Sequence, residues 1–276
     1  MIKSEERSND RSNGWKVTVK LARSLKQKKN RQESGLFLVE GIHHIGAAIE
    51  AGWDVHALLY SEEQLKSQFA RKLVQDQVTR GTCCISIPLK ILESLADKEN
   101  PQGILGIIRE KSWDINDINL NTYKWGVALI SPQDPGNIGS ILRSLDCAGG
   151  DALFLVDGGV DVFNPACVRA SMGALFWKPV VTTTFQGMET WARSSKIVLM
   201  GTSAHASLDY LSLGRQEQPL LLVFGNEQKG MSSLQQQACD QVFSLPMFGH
   251  ASSLNLSVAA GIFMYALIDK KNQGRE

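Results

Sequence analysis

Three polar loops in the second half of the chain contain residue types that can bind a ligand and handle a proton. The first loop, residues 131–139, reads Ser-Pro-Gln-Asp-Pro-Gly-Asn-Ile-Gly and runs into a helical pattern of apolar residues. Arg143 falls outside that apolar stripe, so its guanidinium is available to a cleft or to solvent. Taken alone, the motif is explained better by a surface ion pair between Arg143 and Asp146, worth about 0.2–0.5 kcal/mol.

The second loop, residues 224–230, places two glycines on either side of a carboxylate. It reads Phe-Gly-Asn-Glu-Gln-Lys-Gly and follows an apolar run that is typical of a buried strand. Glycine lets the backbone approach a ligand closely. Glu227 is a candidate general base, and accepting hydrogen bonds from the loop backbone is an equally good explanation of it.

The third loop, residues 245–257, reads Leu-Pro-Met-Phe-Gly-His-Ala-Ser-Ser-Leu-Asn-Leu-Ser and leads into an apolar helix. Ser252 and Ser253 can cap that helix, whose free N–H groups could also bind an anion. The helix is apolar all round, so we expect it to pack against a sheet and a second subunit. The apolar run 254–268 is interrupted by polar residues and is shorter than the ~20 residues that a bilayer requires.

Short apolar runs alternate with helical patterns through the second half, which predicts a parallel α/β sheet that positions the three loops. The runs are residues 125–130, 152–156, 196–200, 219–224 and 242–245. Loops that follow such strands meet at the carboxyl edge of the sheet, where open α/β folds bind ligands. A nicotinamide-dependent oxidoreductase is disfavoured, because Gly136-x-x-Gly139 is not the Gly-x-Gly-x-x-Gly fingerprint.

The first half begins with a basic segment. Seven Lys and Arg residues and no acid lie between Trp15 and Gln32, although the net charge of the chain is only +1. Such a segment attracts phosphate backbones, and a solvated helix face is the alternative. A helix is predicted over 15–30, a strand over 35–41, a helix from Ile42 and a strand over 55–60.

These patterns predict two domains. We assign residues 1–14 to a disordered tail, 15–110 to a smaller α/β domain, 111–124 to a polar linker and 125–276 to the larger domain. The composition is that of a folded, soluble protein, and the polar start lacks a signal peptide, which predicts a cytoplasmic location. Five cysteines without a Cys-x-x-Cys pair predict reduced, mostly buried thiols, and we expect no metal site.

Taken together, the three loops resemble the SpoU (TrmH-type) RNA 2′-O-methyltransferases of the SPOUT superfamily. The matching motifs, in order, are Asp134-Pro-Gly-Asn137-x-Gly139-x-x-x-Arg143, Phe224-Gly225-Asn226-Glu227-x-x-Gly230 and Pro246-Met-x-Gly249-x-x-x-Ser253-Leu254-Asn255-x-Ser257. Residues 164–174 resemble an intermediate segment of the family. In the first half Lys29-x-Arg31, Phe37 and Glu40-Gly41 are similar to a substrate-binding domain that itself resembles RNA-binding ribosomal proteins.

The resemblance implies a C-terminal trefoil-knotted parallel-sheet domain that binds S-adenosylmethionine, acts as a homodimer and methylates a ribose 2′-hydroxyl. Ribosomal RNA is the expected substrate, with the large subunit favoured. The alternatives are a transfer RNA 2′-O-methyltransferase and a catalytically silent RNA-binding homologue.

The resemblance also implies roles for individual residues. Its implied catalytic residues are Asn137, Arg143, Glu227, Ser253 and Asn255. Its implied cofactor-binding residues are Phe224, Gly225, Leu245, Met247, Gly249 and Leu254. Its implied RNA-binding residues are Lys26, Lys28, Lys29, Arg31 and Arg169. Because arginine essentially never deprotonates in a protein, we expect Arg143 to hold a phosphate or stabilise the developing alkoxide, with Glu227 the candidate base.

Overall fold

The computed structural model describes residues 6–96, 102–213 and 218–272. The described residues form two compact units. The first contains the residues up to Lys111 together with Phe163–Phe176, and the second contains Ser112–Val162 and the residues from Trp177 onward. The sequence-based division assigned Phe163–Phe176 to the second domain, whereas the chain folds it into the first unit. No described helix is both long enough and apolar enough to cross a membrane.

The first unit is built on a four-stranded sheet. Its elements before residue 111 are α1 (Glu6–Ser24), α2 (Lys28–Ser34), β1 (Leu36–Glu40), α3 (Ile42–Glu50), β2 (Val55–Tyr60), α4 (Gln68–Thr79), β3 (Cys83–Ser86), α5 (Leu89–Leu95) and β4 (Ile104–Arg109). The strand order is β1-β4-β2-β3; β4 runs antiparallel to both of its neighbours, and β2 and β3 are parallel.

Both faces of this sheet are covered. On one face α1 and α5 contribute Val19, Ala22 and Leu92 to a core shared with the strands. An aromatic cluster involves Phe37 of β1, Trp53 and the inserted residues Phe163 and Phe176. The indole Nε1 of Trp53 donates to the carbonyl of Phe176 at 2.9 Å. These contacts explain why Phe163–Phe176 belongs to the first unit.

The second unit is built on a seven-stranded parallel sheet. The elements from residue 112 onward are β5 (Trp125–Ile130), α6 (Pro135–Cys147), β6 (Ala152–Val156), α7 (Pro165–Ala170), α8 (Ala174–Trp177), β7 (Val180–Thr183), α9 (Phe185–Ser194), β8 (Val198–Thr202), β9 (Leu208–Asp209), β10 (Leu220–Phe224), α10 (Ser233–Gln237), β11 (Gln241–Ser244) and α11 (Leu256–Asn272). Short 3₁₀ turns occur at Ile115–Asp117 and Tyr210–Ser212. The helix α7 and residues Ala174–Phe176 of α8 belong to the first unit.

The strand order β7-β6-β5-β10-β8-β11-β9 fixes where the second unit can bind a ligand. Every neighbouring pair is parallel, and β5, β6 and β10 are buried along their whole length. Strands buried on both faces read as continuous apolar runs, as the sequence does here. From β5 the chain first builds outward through β6 and β7 and then continues on the other side, so a topological switch point lies between β5 and β10.

The N-terminal helical region differs from its prediction. Residues 6–14 are part of α1, so the prediction of a disordered tail is wrong from Glu6 onward, and residues 1–5 lie outside the described residues. The single helix predicted over 15–30 is two helices. The Arg31 guanidinium donates to the carbonyls of Leu25 at 2.8 Å and Lys26 at 3.1 Å, which satisfies carbonyls exposed by the break.

Two further expectations are corrected. The run predicted as strand 196–200 forms β8 two residues later, because Lys196 takes a left-handed backbone (φ 56°) and the N–H of Ile197 still bonds to Ala192 at the end of α9.

The prediction that the thiols are mostly buried is wrong, since Cys167 is the only one of the five that is buried. Burial, and secondarily the charge of Asp240, raises the pKa of Cys239 to about 12. The trefoil knot implied by the resemblance stays a prediction.

Candidate active site

A cavity of about 640 Å³ lies in the second unit, at the carboxyl ends of β8, β10 and β11. Its wall contains the predicted catalytic and cofactor-binding residues except Arg143 and Gly249. Those on the wall are Asn137, Phe224, Gly225, Glu227, Leu245, Met247, Ser253, Leu254 and Asn255. Three loops that are far apart in the sequence therefore converge on one space beside the switch point.

The first turn of α6 positions Asn137. The carboxylate of Asp134 accepts hydrogen bonds from the N–H groups of Gly136 at 2.6 Å and Asn137 at 3.3 Å, and Pro135 occupies the first helical position. This is an N-cap, which satisfies donors that the first turn would leave free. The Asp-Pro-Gly-Asn sequence is therefore a helix start that delivers the Asn137 side chain to the cavity.

The loop after β10 can only be built with glycine at position 225. A Cβ there would lie 2.3 Å from the carbonyl carbon of Gly230 and 2.4 Å from the nitrogen of Met231. The Asn226 amide oxygen accepts from the N–H groups of Gln228 at 3.0 Å and Lys229 at 3.1 Å, and its nitrogen donates to the carbonyl of Ser131 at 2.8 Å. The loop is thus closed on itself and joined to the end of β5.

Glu227 joins the same two loops. Both carboxylate oxygens lie 3.1 Å from the N–H of Gln133, and Oε1 also accepts from the N–H of Asp134 at 3.3 Å. The carboxylate therefore holds the residues that immediately precede α6. This geometry is the structural alternative that the sequence left open, and it places Glu227 in a supporting position for Asn137.

Asn255 connects the third loop to the first. Its Oδ1 accepts from the N–H and hydroxyl of Ser257 at 2.8 and 2.7 Å and from the N–H of Val258 at 3.4 Å, so Asn255 caps α11. The prediction that Ser252 and Ser253 cap this helix is wrong, because α11 begins at Leu256.

The remaining amide group of Asn255 fixes the orientation of Asn137. Asn255 Nδ2 donates to Asn137 Oδ1 at 2.9 Å. Because that oxygen is occupied, the Nδ2 group of Asn137 is the part that remains for a ligand. The cavity therefore presents a hydrogen-bond donor from α6 whose direction is set by the cap of α11.

Arg143 is exposed and is absent from the wall of this cavity. It follows Asn137 by six residues, about 9 Å along the helix axis. The alternative surface ion pair with Asp146 is not seen among the described residues, where the Asp146 carboxylate pairs with Lys178 at 3.3 Å instead. Gly249 is likewise outside the wall, in an exposed loop where a Cβ would meet nothing within 4 Å.

Sequence reasoning missed part of the site at the end of β8. Thr202, Ser203 and His205 line the cavity, and the Thr202 hydroxyl donates to the carbonyl of Val223 at 3.2 Å. The apolar run that predicts this strand ends at residue 200, whereas β8 ends at Thr202, so the pattern gives no signal for the loop that follows. Phe263 of α11 also reaches the wall, where its ring meets that of Phe224 edge-on with centroids 5.7 Å apart.

The residues predicted to bind RNA lie in the first unit. Lys26, Lys28 and Lys29 are exposed, and Lys29 pairs with Glu33 at 3.8 Å. Arg169 is partly buried in α7. Arg31 is only 1% exposed, and its bonds to backbone carbonyls keep it inside the unit. The prediction that Arg31 contacts RNA is therefore not supported, because a phosphate cannot reach it.

The three converging loops match a known family model. The model of the SpoU rRNA Methylase family matches residues 124–265, which is more than half of the chain. The chain belongs to the SpoU rRNA methylase family. In addition, the MRM3-like substrate binding domain matches residues 16–106, in the first unit.

Curated relatives within the SpoU rRNA methylase family match over nearly the whole chain. The chain is 35% identical to the 23S rRNA (uridine(2479)-2′-O)-methyltransferase of Streptomyces viridochromogenes over 91% of this chain and 88% of that protein. It is 27% identical to the 23S rRNA (guanosine(2553)-2′-O)-methyltransferase RlmP of Bacillus subtilis strain 168, over 97% of this chain and 99% of that protein.

Solved structures of SpoU relatives have the same fold. The crystal structure of AviRb from Streptomyces viridochromogenes in complex with AdoMet has a TM-score of 0.82 and 32% identity, and covers 92% of this chain and 97% of that one. An AdoMet-bound rRNA methyltransferase from Sinorhizobium meliloti has a TM-score of 0.83 and 30% identity, and covers 90% and 93%.

Proposed function

We propose that this protein is an S-adenosylmethionine-dependent methyltransferase that modifies a ribose 2′-hydroxyl of ribosomal RNA, with the large-subunit RNA as the favoured substrate. The observation that carries the proposal is the convergence of the three family motifs on one cavity beside the switch point of a parallel sheet. The two curated relatives named above, which match along nearly the whole chain, are 23S rRNA 2′-O-methyltransferases by name.

The cavity fits S-adenosylmethionine in size and chemistry. Its volume of about 640 Å³ is within the range of about 300–1,000 Å³ that is typical of small-molecule sites. Leu245, Met247 and Leu254 would hold the apolar parts of the cofactor, and Thr202 and Ser203 offer hydroxyls beside them. When bound, the cofactor supplies a methyl group that its sulfonium already activates for transfer.

The side chains around the cavity act mainly by positioning. Asn137 offers its N–H groups to the ribose, Asn255 fixes their direction, and Glu227 holds the loop in front of α6. Correct alignment of reacting groups can by itself supply a large part of an enzymatic rate acceleration. Glu227 thus acts as a positioning residue, and the alternative that it takes the proton of the 2′-hydroxyl is tested below.

Arg143 supplies a fixed positive charge for a phosphate or for the developing alkoxide. The Arg143 side chain does not line the cavity of its own chain. Its guanidinium therefore meets the reacting ribose either through the bound RNA or across an interface with a second copy of the chain. We propose that the protein acts as a homodimer through α6 and α11, two helices that pack on each other within one chain. Val258 and Tyr265 of α11 expose about half of their surface, which supports an apolar interface there. We propose that the protein acts in the cytoplasm, because the two curated relatives named above are ribosomal RNA methyltransferases by name.

The test offers labelled S-adenosylmethionine to naked ribosomal RNA, to ribosomal subunits and to transfer RNA, and then maps the labelled nucleotide. We expect label on a ribose of the large-subunit RNA. Arg143→Ala should abolish transfer while its affinity for the cofactor stays within about twofold of wild type, since the residue lies outside the cavity. Label on transfer RNA instead would overturn the substrate assignment. A protein that binds RNA but transfers no methyl group would be the catalytically silent homologue.

A further inference from the structure

A second cavity of about 480 Å³ lies on the other side of the loop after β10. It has Asn226, Gln228, Lys229 and Gly230 in common with the first cavity, so the two spaces are neighbours within the second unit. The rest of its polar wall comes from the end of β5 and from α10, principally Ser131, Gln133 and Gln235. None of the residues with an implied catalytic or cofactor-binding role lines this space.

The polar groups of this cavity are of the kind that read the edges of nucleobases. Its wall is rich in side-chain amides, which both donate and accept hydrogen bonds, and Lys229 adds a positive charge. No acidic residue is among the described residues that line it. The adjacent Glu227 lines only the first cavity, and its carboxylate is occupied by the N–H groups of Gln133 and Asp134. The wall is therefore compatible with a ligand that carries a phosphate.

Internal hydrogen bonds decide which amide groups remain for a ligand. The Nε2 group of Gln133 donates to the carbonyl of Ser131 at 3.0 Å, which leaves Gln133 Oε1 as an acceptor. The Oε1 atom of Gln235 accepts from the N–H of Ser232 at 2.9 Å in a capping box, which leaves Gln235 Nε2 as a donor. One acceptor and one donor match the edge of a base such as uracil or guanine, which has an N–H beside a carbonyl.

We infer that this second cavity binds the base of a nucleotide adjacent to the one that is methylated, with Gln133 and Gln235 reading its edge and Lys229 near the intervening phosphate. The inference rests on the proposed function, because a ribose that enters the first cavity brings its neighbours to the shared wall. Sequence-specific RNA recognition commonly uses splayed, unstacked bases of single strands. The second cavity would thus contribute to the choice of methylation site.

The experiment compares two glutamine substitutions on the same short helix. Gln235→Glu keeps the oxygen that accepts from Ser232, since glutamate is a usual residue at this capping-box position, but it removes the donor and adds a negative charge. Gln237→Glu makes the same chemical change at an exposed position that does not line the cavity. The KM for ribosomal RNA, the kcat and the affinity for S-adenosylmethionine are measured for both variants and wild type.

We expect Gln235→Glu to raise the KM for RNA about tenfold, as loss of a base contact does, with cofactor affinity unchanged, while Gln237→Glu resembles wild type. In an RNA fragment, each nucleotide beside the methylated one is then substituted in turn. We expect one of these substitutions to impair methylation by the wild-type protein and to impair methylation by Gln235→Glu little further. Equal KM values for the two variants would overturn the subsite and leave the proposed function intact. If no methyl transfer occurs, the affinities of the two variants for RNA are compared without S-adenosylmethionine. Failure of the enzyme assignment is thereby distinguished from failure of the subsite.

Discussion

The first cavity of the second unit and the basic segment of the first unit are both rich in polar residues. Their polar side chains are held in different ways. In the cavity, Asn226, Glu227 and Asn255 each bond to another loop at a defined distance. In the basic segment, Lys28 and Lys29 project into solvent, and Lys29 pairs with Glu33, one helical turn away. Arg31 is the exception, because it is buried and bonds to backbone.

This difference shows which polar residues can carry specificity. Groups held by several hydrogen bonds present donors and acceptors in fixed directions, so a substitution there changes geometry as well as charge. Exposed lysines attract any phosphate backbone and act through charge, with an effect that depends on salt. Three predictions test the contrast, beginning with the largest expected effect.

The two glycines predicted to bind the cofactor should respond very differently to alanine. At Gly225 the new methyl group would collide with the backbone of Gly230, and such overpacking costs about 1–3 kcal/mol. We expect cofactor affinity to fall about 10- to 100-fold in calorimetric titration. Gly249→Ala is the matched control, because its methyl group meets nothing, and it should bind as wild type does. Tight binding by Gly225→Ala would show that the loop is not held as described.

Glu227→Gln separates the positioning role from the role of a base. The amide can still accept from the N–H of Gln133, but it loses the charge that strengthens these bonds. We expect kcat to fall about tenfold, with the same dependence of kcat on pH as in wild type. A general base would instead account for a loss of about 10²–10⁴-fold, and the limb of the pH profile that reports its titration would disappear. That second pattern would restore Glu227 as the proton acceptor.

In the basic segment, the smallest effects on affinity are expected, and Arg31 should differ from its neighbours. Lys28→Ala and Lys29→Ala should each weaken RNA binding without changing thermal stability. In each variant, the slope with which log affinity falls as log salt concentration rises should become shallower by about one. Arg31→Met should leave the salt slope unchanged and lower the free energy of unfolding by about 2–3 kcal/mol, because two backbone carbonyls lose their partner. A lower salt slope in Arg31→Met, measured by filter binding, would mean that RNA does reach this residue.

Much of the site could be predicted because its sequence signals are local. Asp134, Pro135 and the apolar positions of α6 specify a helix start, and Gly225 marks a close backbone approach, whatever the rest of the fold does. The apolar runs 125–130 and 152–156 coincide with β5 and β6, because strands buried on both faces require continuous apolar sequence. The family motifs then supplied the order of the loops.

The remaining features depend on residues that are distant in the sequence. The Glu227 carboxylate accepts from the N–H groups of Gln133 and Asp134, which lie 94 and 93 residues away, and this favours a supporting role over that of a base. Arg31 is a local exception, because its partners are the carbonyls at the break between α1 and α2. No periodicity shows that Phe163–Phe176 packs with Phe37 and Trp53. The sequence by itself determined which loops carry the chemistry. Only the tertiary structure decided the direction of each polar group, because that direction is set by hydrogen bonds between segments that are far apart in the sequence.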